Sequence, residues 1–542
     1  MPEGKAVVLG EPGATPQKPS KRPAILRNIA ANWGGFVFSV GISFALAPYV
    51  VRHLGNVEYG VWSLVISLTG YLSLLDLGVR GAVTRYVARF HTKAEHQGSS
   101  QVASAATAIF CATAVIVVAL SVLLATLAVP RMKIPPQYLF AARVVLILTG
   151  VSIALSLING VFGGILVALQ RFDLTNGTEI ASTGLRSLAI VVALHRGLGL
   201  ISLALLNLLF NVVRLVVNLV WARKLYPQVR IRAASVDRQN LRLIFSFSLF
   251  SFLLRVGLSL IYASDLVVIG AYLPISAVAF YVIGANLVEY ARTLVGGISQ
   301  TMTPLASSID AQQGTQGLQA LVLKSSSWAT MAALPVAATF LIRGSSFIAL
   351  WMGAEFADLS GQVLKILAVT VLFSASGSVV GGVMLGISRH KPLVAVLLAE
   401  GLCNLGLSIF LVKRMGIIGV AWGTLLPNLL TSVFFVPWYV RRVLKINVRD
   451  YAVSAWMKPA LAAVPFLLLS VALERLCPAH NLALFFLQVA LCLPLIITCD
   501  WRICLDVKQR SDYSRKFAAM LGAETIGTLI RELRLTNSWR IL

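Results

Sequence analysis

Five arginines lie inside long apolar runs of this 542-residue chain: Arg143, Arg186, Arg214, Arg255 and Arg292. A guanidinium keeps its charge at any physiological pH, so one placed at membrane depth must face protein or water instead of acyl chains. Residues three or four apart share a helix face, and that spacing supplies the arginines with polar company. Asn207, Asn211, Arg214 and Asn218 form one row; Ser248, Ser251, Arg255, Ser259 and Tyr262 form another. Glu289, Arg292, Gly296, Ser299 and Thr303 make a third, and Glu179, Ser182, Thr183 and Arg186 a fourth. Thr69, Ser73, Asp76 and Arg80 repeat the device nearer the N-terminus, after a weaker row of Asn32, Ser39 and Ser43.

Small polar rows also mark ordinary helix packing in membranes, and Glu289 with Arg292 has the spacing of an intrahelical pair. Arg143 and Arg214 are within snorkelling reach of an interface, whereas Arg186 and Arg255 sit near the middle of their runs. The surplus of buried positive charge points to a cavity that takes an anion, and the guanidinium fork fits phosphate oxygens in particular. The candidate binding residues are Arg186, Arg255, Arg292, Arg214 and Asn211. The carboxylates Asp76, Glu289, Asp265 and Glu179 are candidates for ion coupling or for simple charge partnership, as is Glu400. No catalytic residue, metal ligand or cofactor site is assigned. The six histidines form no HExxH pattern, the six cysteines no CxxC pair, and no phosphate-binding GxxxxGK[ST] loop occurs.

The elements that must position these residues are membrane-spanning helices. The chain is 58% apolar and 12% charged, with a mean hydropathy of +0.83, which excludes a water-soluble fold. A spanning helix needs about 20 apolar residues. Suitable runs occur at 28–50, 59–77, 102–129, 138–169, 174–194, 198–221 and 241–272, then 275–303, 325–342, 363–387, 393–412, 417–440, 451–473 and 482–498. Trp221, Trp351, Trp438 and Trp501 close runs, where indole rings favour the headgroup level.

The formal charge of +25, from 46 Lys and Arg against 21 Asp and Glu, would suggest nucleic acid in a soluble domain. Here it sorts by topology. Counting span ends with the connection beside them, thirty-two of the basic residues fall in the termini and even-numbered connections, nine in the odd-numbered ones and five deep within spans, so both termini are expected in the cytoplasm. Residues 1–27 read as a disordered basic leader without the apolar core of a signal peptide. The basic tail 501–542 carries Phe517, Met520, Leu521 and Ile526, a composition suited to lying on anionic lipid or to an unstructured solvated tail.

The first twelve spans repeat. The segment GILVALQR at 164–171 lies 218 residues before GVMLGISR at 382–389; with one residue dropped, Gly199 meets Gly416 and Asn211 meets Asn428, while Arg186 meets neutral Asn404. A displacement of six spans keeps matched helices crossing in the same direction, so the halves are related by an axis along the membrane normal. The expected architecture is an all-α polytopic membrane protein of about 14 transmembrane helices. It comprises an N-lobe at 28–222, a basic inter-lobe loop at 223–240, a C-lobe at 241–440 and an appended pair of helices at 441–500. The two six-helix lobes are pseudo-symmetric and enclose a central cavity.

Specific segments carry a family resemblance. PYVVRHLG at 48–55, YGVW at 59–62, LLDLG at 74–78 and TRYVA at 84–88 resemble the opening of the polysaccharide flippase branch of the multidrug, oligosaccharidyl-lipid and polysaccharide exporter superfamily. The resemblance covers roughly the first twelve spans and is most specific over the first two. It implies two six-helix lobes with spans 1 and 7 facing one another, spans 2 and 8 beside them, and a cavity open to one side at a time. It also implies transfer of polyprenyl-diphosphate-linked oligosaccharide from the cytoplasmic to the outer leaflet of a bacterial inner membrane, for cell-surface polysaccharide synthesis. Fourteen spans resembles the lipid II flippase relatives more than the twelve common in this branch. The alternatives are a lipid II flippase, a multidrug or cation antiporter on the same scaffold, and a membrane enzyme acting on polyprenyl-linked sugars. The antiporter should bury carboxylates instead of arginines; the enzyme needs a long outer loop or acid cluster, and the outside connections are short. Expected partners are the lipid-linked glycan, anionic membrane lipid and a polysaccharide polymerase or glycosyltransferases, with no nucleic acid.

Overall fold

A computed structural model describes residues 22–237, 252–506, 509–511 and 514–515. The leader before residue 22, Ser248, Ser251 and the tail residues Phe517, Met520, Leu521 and Ile526 lie outside the described residues, as does the side chain of Asn32. Among the described residues the chain is helical, with no strand. The helices are α1 (Arg22–Leu72), α2 (Val79–Thr92), α3 (His96–Leu127), α4 (Pro136–Ala168), α5 (Phe172–His195) and α6 (Leu200–Leu225), followed by α7 (Phe252–Tyr272), α8 (Ser276–Trp351), α9 (Leu359–Gly386), α10 (Lys391–Leu444), α11 (Val448–Leu476) and α12 (Leu482–Ile503). Helix α1 begins within the segment read from sequence as leader.

Eleven helical runs are long and apolar enough to cross a membrane. Three contain one glycine with non-helical angles: Gly55 (φ 72°, ψ 172°) in α1, Gly314 (φ 57°, ψ −148°) in α8 and Gly416 (φ 61°, ψ −141°) in α10. A residue with a Cβ pays to adopt positive φ, so these glycines mark where one leg ends and the next begins. Splitting the three long helices there recovers fourteen legs. In the first half α1 packs on α4 and α5, and α4 packs on α2, α3 and α6. In the second half α8 packs along α9, and α10 on α7 and α9; α11 and α12 pack together and against α8.

The repeat read from sequence reappears as matched hydrogen bonds. Thr84 Oγ1 donates to the Gly164 carbonyl at 3.4 Å, and Thr303 Oγ1 donates to the Gly382 carbonyl at 3.1 Å. Arg186 Nη1 donates to Asn207 Oδ1 at 3.0 Å, and its counterpart Asn404 donates through Nδ2 to Thr424 Oγ1 at 3.3 Å. The loop alignment shifts by two residues, because the glycine at positive φ in the first half is Gly197 (φ 72°), not Gly199; a gap inside so short a connection leaves no spacing signal. A Cβ on Gly382 would lie 2.5 Å from the Ser299 carbonyl oxygen, so the glycine serves the close approach of α8 and α9. Gly382→Val is expected to cost about 1–3 kcal/mol through overpacking, measured as a lower thermal midpoint in detergent; an unchanged midpoint would refute that role.

Two residues depart from the sequence reading. Trp351, at the end of its helix, is packed inside the protein and does not face out: it is 4% exposed, its Nε1 donates to the Phe44 carbonyl at 3.0 Å, and its ring stacks on Phe44 at 4.6 Å. It joins the first leg of α1 to α8, across the two halves. The apolar run at 325–342 stops at Arg343 because hydropathy falls at a charge, yet α8 continues to Trp351. Arg343 is 1% exposed. Its Nε donates to Glu474 Oε2 at 2.7 Å and its Nη2 to Gln488 Oε1 at 2.5 Å, with the guanidinium 4.6 Å from the Phe485 ring centre. This arginine ties the appended helices α11 and α12 to the C-lobe.

Candidate functional site

The LLDLG segment is a helix break. After α1 ends, Ser73–Asp76 form a 3-10 turn, and Leu77 (φ 50°) and Gly78 (φ 76°) both take left-handed angles before α2 starts. Glycine tolerates that conformation, whereas Leu77 holds it at a cost of about 1–2 kcal/mol. The break leaves Asp76 at the end of one helix and Arg80 at the start of the next, both lining a cavity of about 940 Å³.

Arg85, Arg214 and Arg255 also line this cavity, together with Glu179. Four guanidiniums against two carboxylates give it a net positive lining. Arg255 comes from α7 and the other charged residues from the N-lobe, so the cavity lies between the halves. Val167 and Thr175 at its wall flank the α4–α5 connection, which places it toward the end of the bundle that also carries the α2–α3 and α6–α7 connections.

Asn211 and Asn218 of the row on α6 face α4, while Asn207 meets Arg186 of α5. Asn211 Nδ2 donates to Ser152 Oγ at 2.5 Å and Asn218 Nδ2 to Asn159 Oδ1 at 3.0 Å, two rungs separated by two helical turns on each helix. Between them, Arg214 donates to Asn211 Oδ1 at 3.0 Å and pairs with Glu179. Asn211 therefore positions Arg214 and does not itself line the cavity. Arg80 Nη2 reaches the Ser156 carbonyl at 3.5 Å. Neither Arg80 nor Arg255 has an acidic partner among the described residues. Asp76 Oδ1 is buried without a hydrogen-bond partner, an expensive arrangement for an acceptor.

Arg186 and Arg292, named with the others from sequence, stand elsewhere. Arg186 is bonded to Asn207 between α5 and α6 and does not line the cavity. Arg292 lines a separate cavity of about 350 Å³ in the C-lobe with Glu289, Asp265 and Tyr262. There it pairs with Glu289 at 3.3 Å and lies 3.7 Å over the Tyr262 ring. Asp265 accepts from Tyr281 at 2.5 Å and from Thr424 at 2.8 Å, and Glu400 accepts from Asn428 at 3.0 Å. Arg80 and Arg85 escape a hydropathy reading because they follow the apolar run and count as a connection; the signal for Arg80 was its place in the row with Asp76.

Just past the cavity and on toward the opposite end, the halves are bonded together. Ser67 Oγ donates to the Ala263 carbonyl at 2.6 Å and Tyr71 to the Ser259 carbonyl at 3.3 Å. From the α3–α4 connection, the Lys133 amide donates to the Gly270 carbonyl at 3.0 Å and its Nζ to the Tyr272 carbonyl at 2.6 Å. These bonds close the cavity on the side of the α3–α4 connection.

Comparison with known proteins agrees with this architecture. The membrane protein EpsK of Bacillus subtilis is 24% identical over 424 residues, covering 77% of this chain and 83% of its own length. A putative O-antigen transporter of Shigella flexneri is 20% identical over 400 residues, covering 73% of this chain and 93% of its own. Among solved structures, the lipid II flippase MurJ in an inward closed conformation superposes with a TM-score of 0.68 at 13% identity, covering 88% of this chain and 98% of that one; at this identity the likeness establishes the fold. Residues 25–310, more than half the chain, match the family described as polysaccharide biosynthesis protein. With the helix break, the repeat and the arginine-lined cavity in place, that match identifies the chain as a member of the polysaccharide biosynthesis protein family.

Proposed function

We propose that this protein is a flippase that moves a polyprenyl-diphosphate-linked oligosaccharide from the cytoplasmic to the outer leaflet by alternating access. The observation that carries the reading is the charge of the inter-lobe cavity: Arg80, Arg85, Arg214 and Arg255 against Asp76 and Glu179. A diphosphate diester bears about two negative charges, and taking it into hydrocarbon without compensation is prohibitive. Arginines at the cavity wall replace part of its hydration while the sugars occupy the aqueous space and the polyprenyl tail stays in lipid. The net positive lining favours this reading over cation antiport, and the names of the Shigella relative and of MurJ support a lipid-linked glycan as cargo.

In this reading both termini are cytoplasmic, the described state is open to the cytoplasm, and Asp76 and Glu179 set the charge balance of the empty cavity. An anion moving outward down an inside-negative potential gains about 2.3 kcal/mol per charge per 100 mV. Outward transfer in sealed vesicles is therefore expected to speed up when a potassium diffusion potential, negative on the cytoplasmic side, is imposed. Indifference to that potential would remove it as the driving force. The function itself is tested with purified protein in vesicles carrying a fluorescent polyprenyl-diphosphate glycan. Protein-dependent loss of the label from the cytoplasmic leaflet is expected, and export of organic cations with no movement of the glycan would overturn the assignment.

A further inference from the structure

The described part of the α6–α7 connection, residues 226–237, is a strap held on α3. Tyr226, 2% exposed, anchors it: its ring lies edge-on to His91 at 4.8 Å, and its hydroxyl is 3.1 Å from His96 Nδ1 and 3.3 Å from Ser99 Oγ. Further on, two serines one helical turn apart grip the backbone. The Arg230 amide donates to Ser100 Oγ at 3.1 Å and the Arg232 amide to Ser104 Oγ at 3.0 Å.

Between the strap and the ends of α4 and α6 is a cavity of about 370 Å³ lined by Arg223, Arg230 and Arg232 above Phe162, Ile165 and Val229. No carboxylate lines it, and none of the three arginines has an ion-pair partner among the described residues. It is distinct from the transport cavity, which uses Gly163, Gly164 and Val167 of the same helix. Three unpaired guanidiniums over an apolar floor suit an anion attached to hydrocarbon. Helix α6 shows where the hydrocarbon runs. Leu209, Val213, Val216 and Val220 are 54%, 44%, 50% and 56% exposed; steps of four, three and four put them on one ridge, and Arg223 follows three residues later at the cavity.

We propose that this cavity binds the phosphate headgroup of an anionic phospholipid, with its acyl chains along the α6 ridge. The bound lipid joins the end of the N-lobe to the strap that leads into the C-lobe, so the anionic lipid content of the membrane sets how freely the strap moves. The site is independent of the identity of the transported molecule.

Native mass spectrometry of the full-length protein, titrated with phosphatidylglycerol and with phosphatidylcholine, tests it. Wild type is expected to retain phosphatidylglycerol preferentially. The Arg223→Gln/Arg230→Gln/Arg232→Gln variant should weaken that binding by about ten-fold or more, with phosphatidylcholine unaffected, and the corresponding triple lysine variant should keep most of it. If the triple variant is not monodisperse, each single glutamine variant should show a loss of a few-fold. Wild-type binding by the glutamine variants, or an equal loss from the exposed pair Arg441→Gln/Arg442→Gln, overturns the site. Displacement of the lipid by millimolar inorganic phosphate, with phosphate bound in its place, assigns the cavity to a soluble anion and overturns the lipid occupant.

Discussion

Arg255→Ala is expected to lower glycan transfer about ten- to a hundred-fold while leaving membrane abundance unchanged. The magnitude is that of one charge-assisted hydrogen bond, about 1.5–3 kcal/mol. Arg255 reaches the cavity from the C-lobe and meets no carboxylate among the described residues, so its removal strips charge from the cavity wall without exposing a buried counter-ion. Arg80→Gln should behave alike. Arg214→Gln differs, since it abandons Glu179 and the Asn211 bond and is expected to lower abundance as well as transfer. Lysine at position 255 should restore part of the rate by charge but not the paired donors of the fork. Transfer assays on protein-normalised vesicles decide the matter, and normal rates in both Arg255→Ala and Arg80→Gln would remove these arginines from the transport path.

The largest stability effect is expected at Arg343, far from that cavity. Removing one partner of a buried ion pair strands the other and costs about 3–5 kcal/mol. Arg343→Ala leaves Glu474 without its guanidinium, empties the space over Phe485 and frees Gln488. The thermal midpoint in detergent should fall sharply, with α11 and α12 becoming sensitive to protease. Arg343→Met combined with Glu474→Met should recover most of the loss, because well-packed apolar residues often replace a buried pair without penalty. A single variant as stable as wild type would mean that the appended helices dock by apolar packing alone.

Much of this architecture is legible in the sequence because membrane spans announce themselves by length and hydropathy. The fourteen runs, the even displacement of the repeat and the sharing of one α6 face by Asn211 and Asn218 all follow from length and spacing. Charges at the ends of runs are where the reading fails. Arg343 and Arg80 both end an apolar window and so count as connection, yet the backbone stays helical through one and re-enters a helix at the other. Hydropathy measures transfer to lipid, and neither residue faces lipid: one is enclosed by Glu474 and Gln488, the other opens on a cavity. Arg186 and Arg292 fail for a different reason. Helical periodicity assigns a face, and with it the Glu289 partner of Arg292, but not the neighbour opposite, which is Asn207 for one and Tyr262 for the other.

The bonds that the first half makes onto α7 share an asymmetry. The side chains of Ser67, Tyr71 and Lys133 in the first half all donate to main-chain oxygens of α7, at Ala263, Ser259 and Tyr272 respectively. A main-chain acceptor survives almost any side-chain replacement at its position, so each of these three contacts is heritable through the first half only. A random mutagenesis screen for altered opening should collect its hits among the donors and leave the acceptor positions nearly blank.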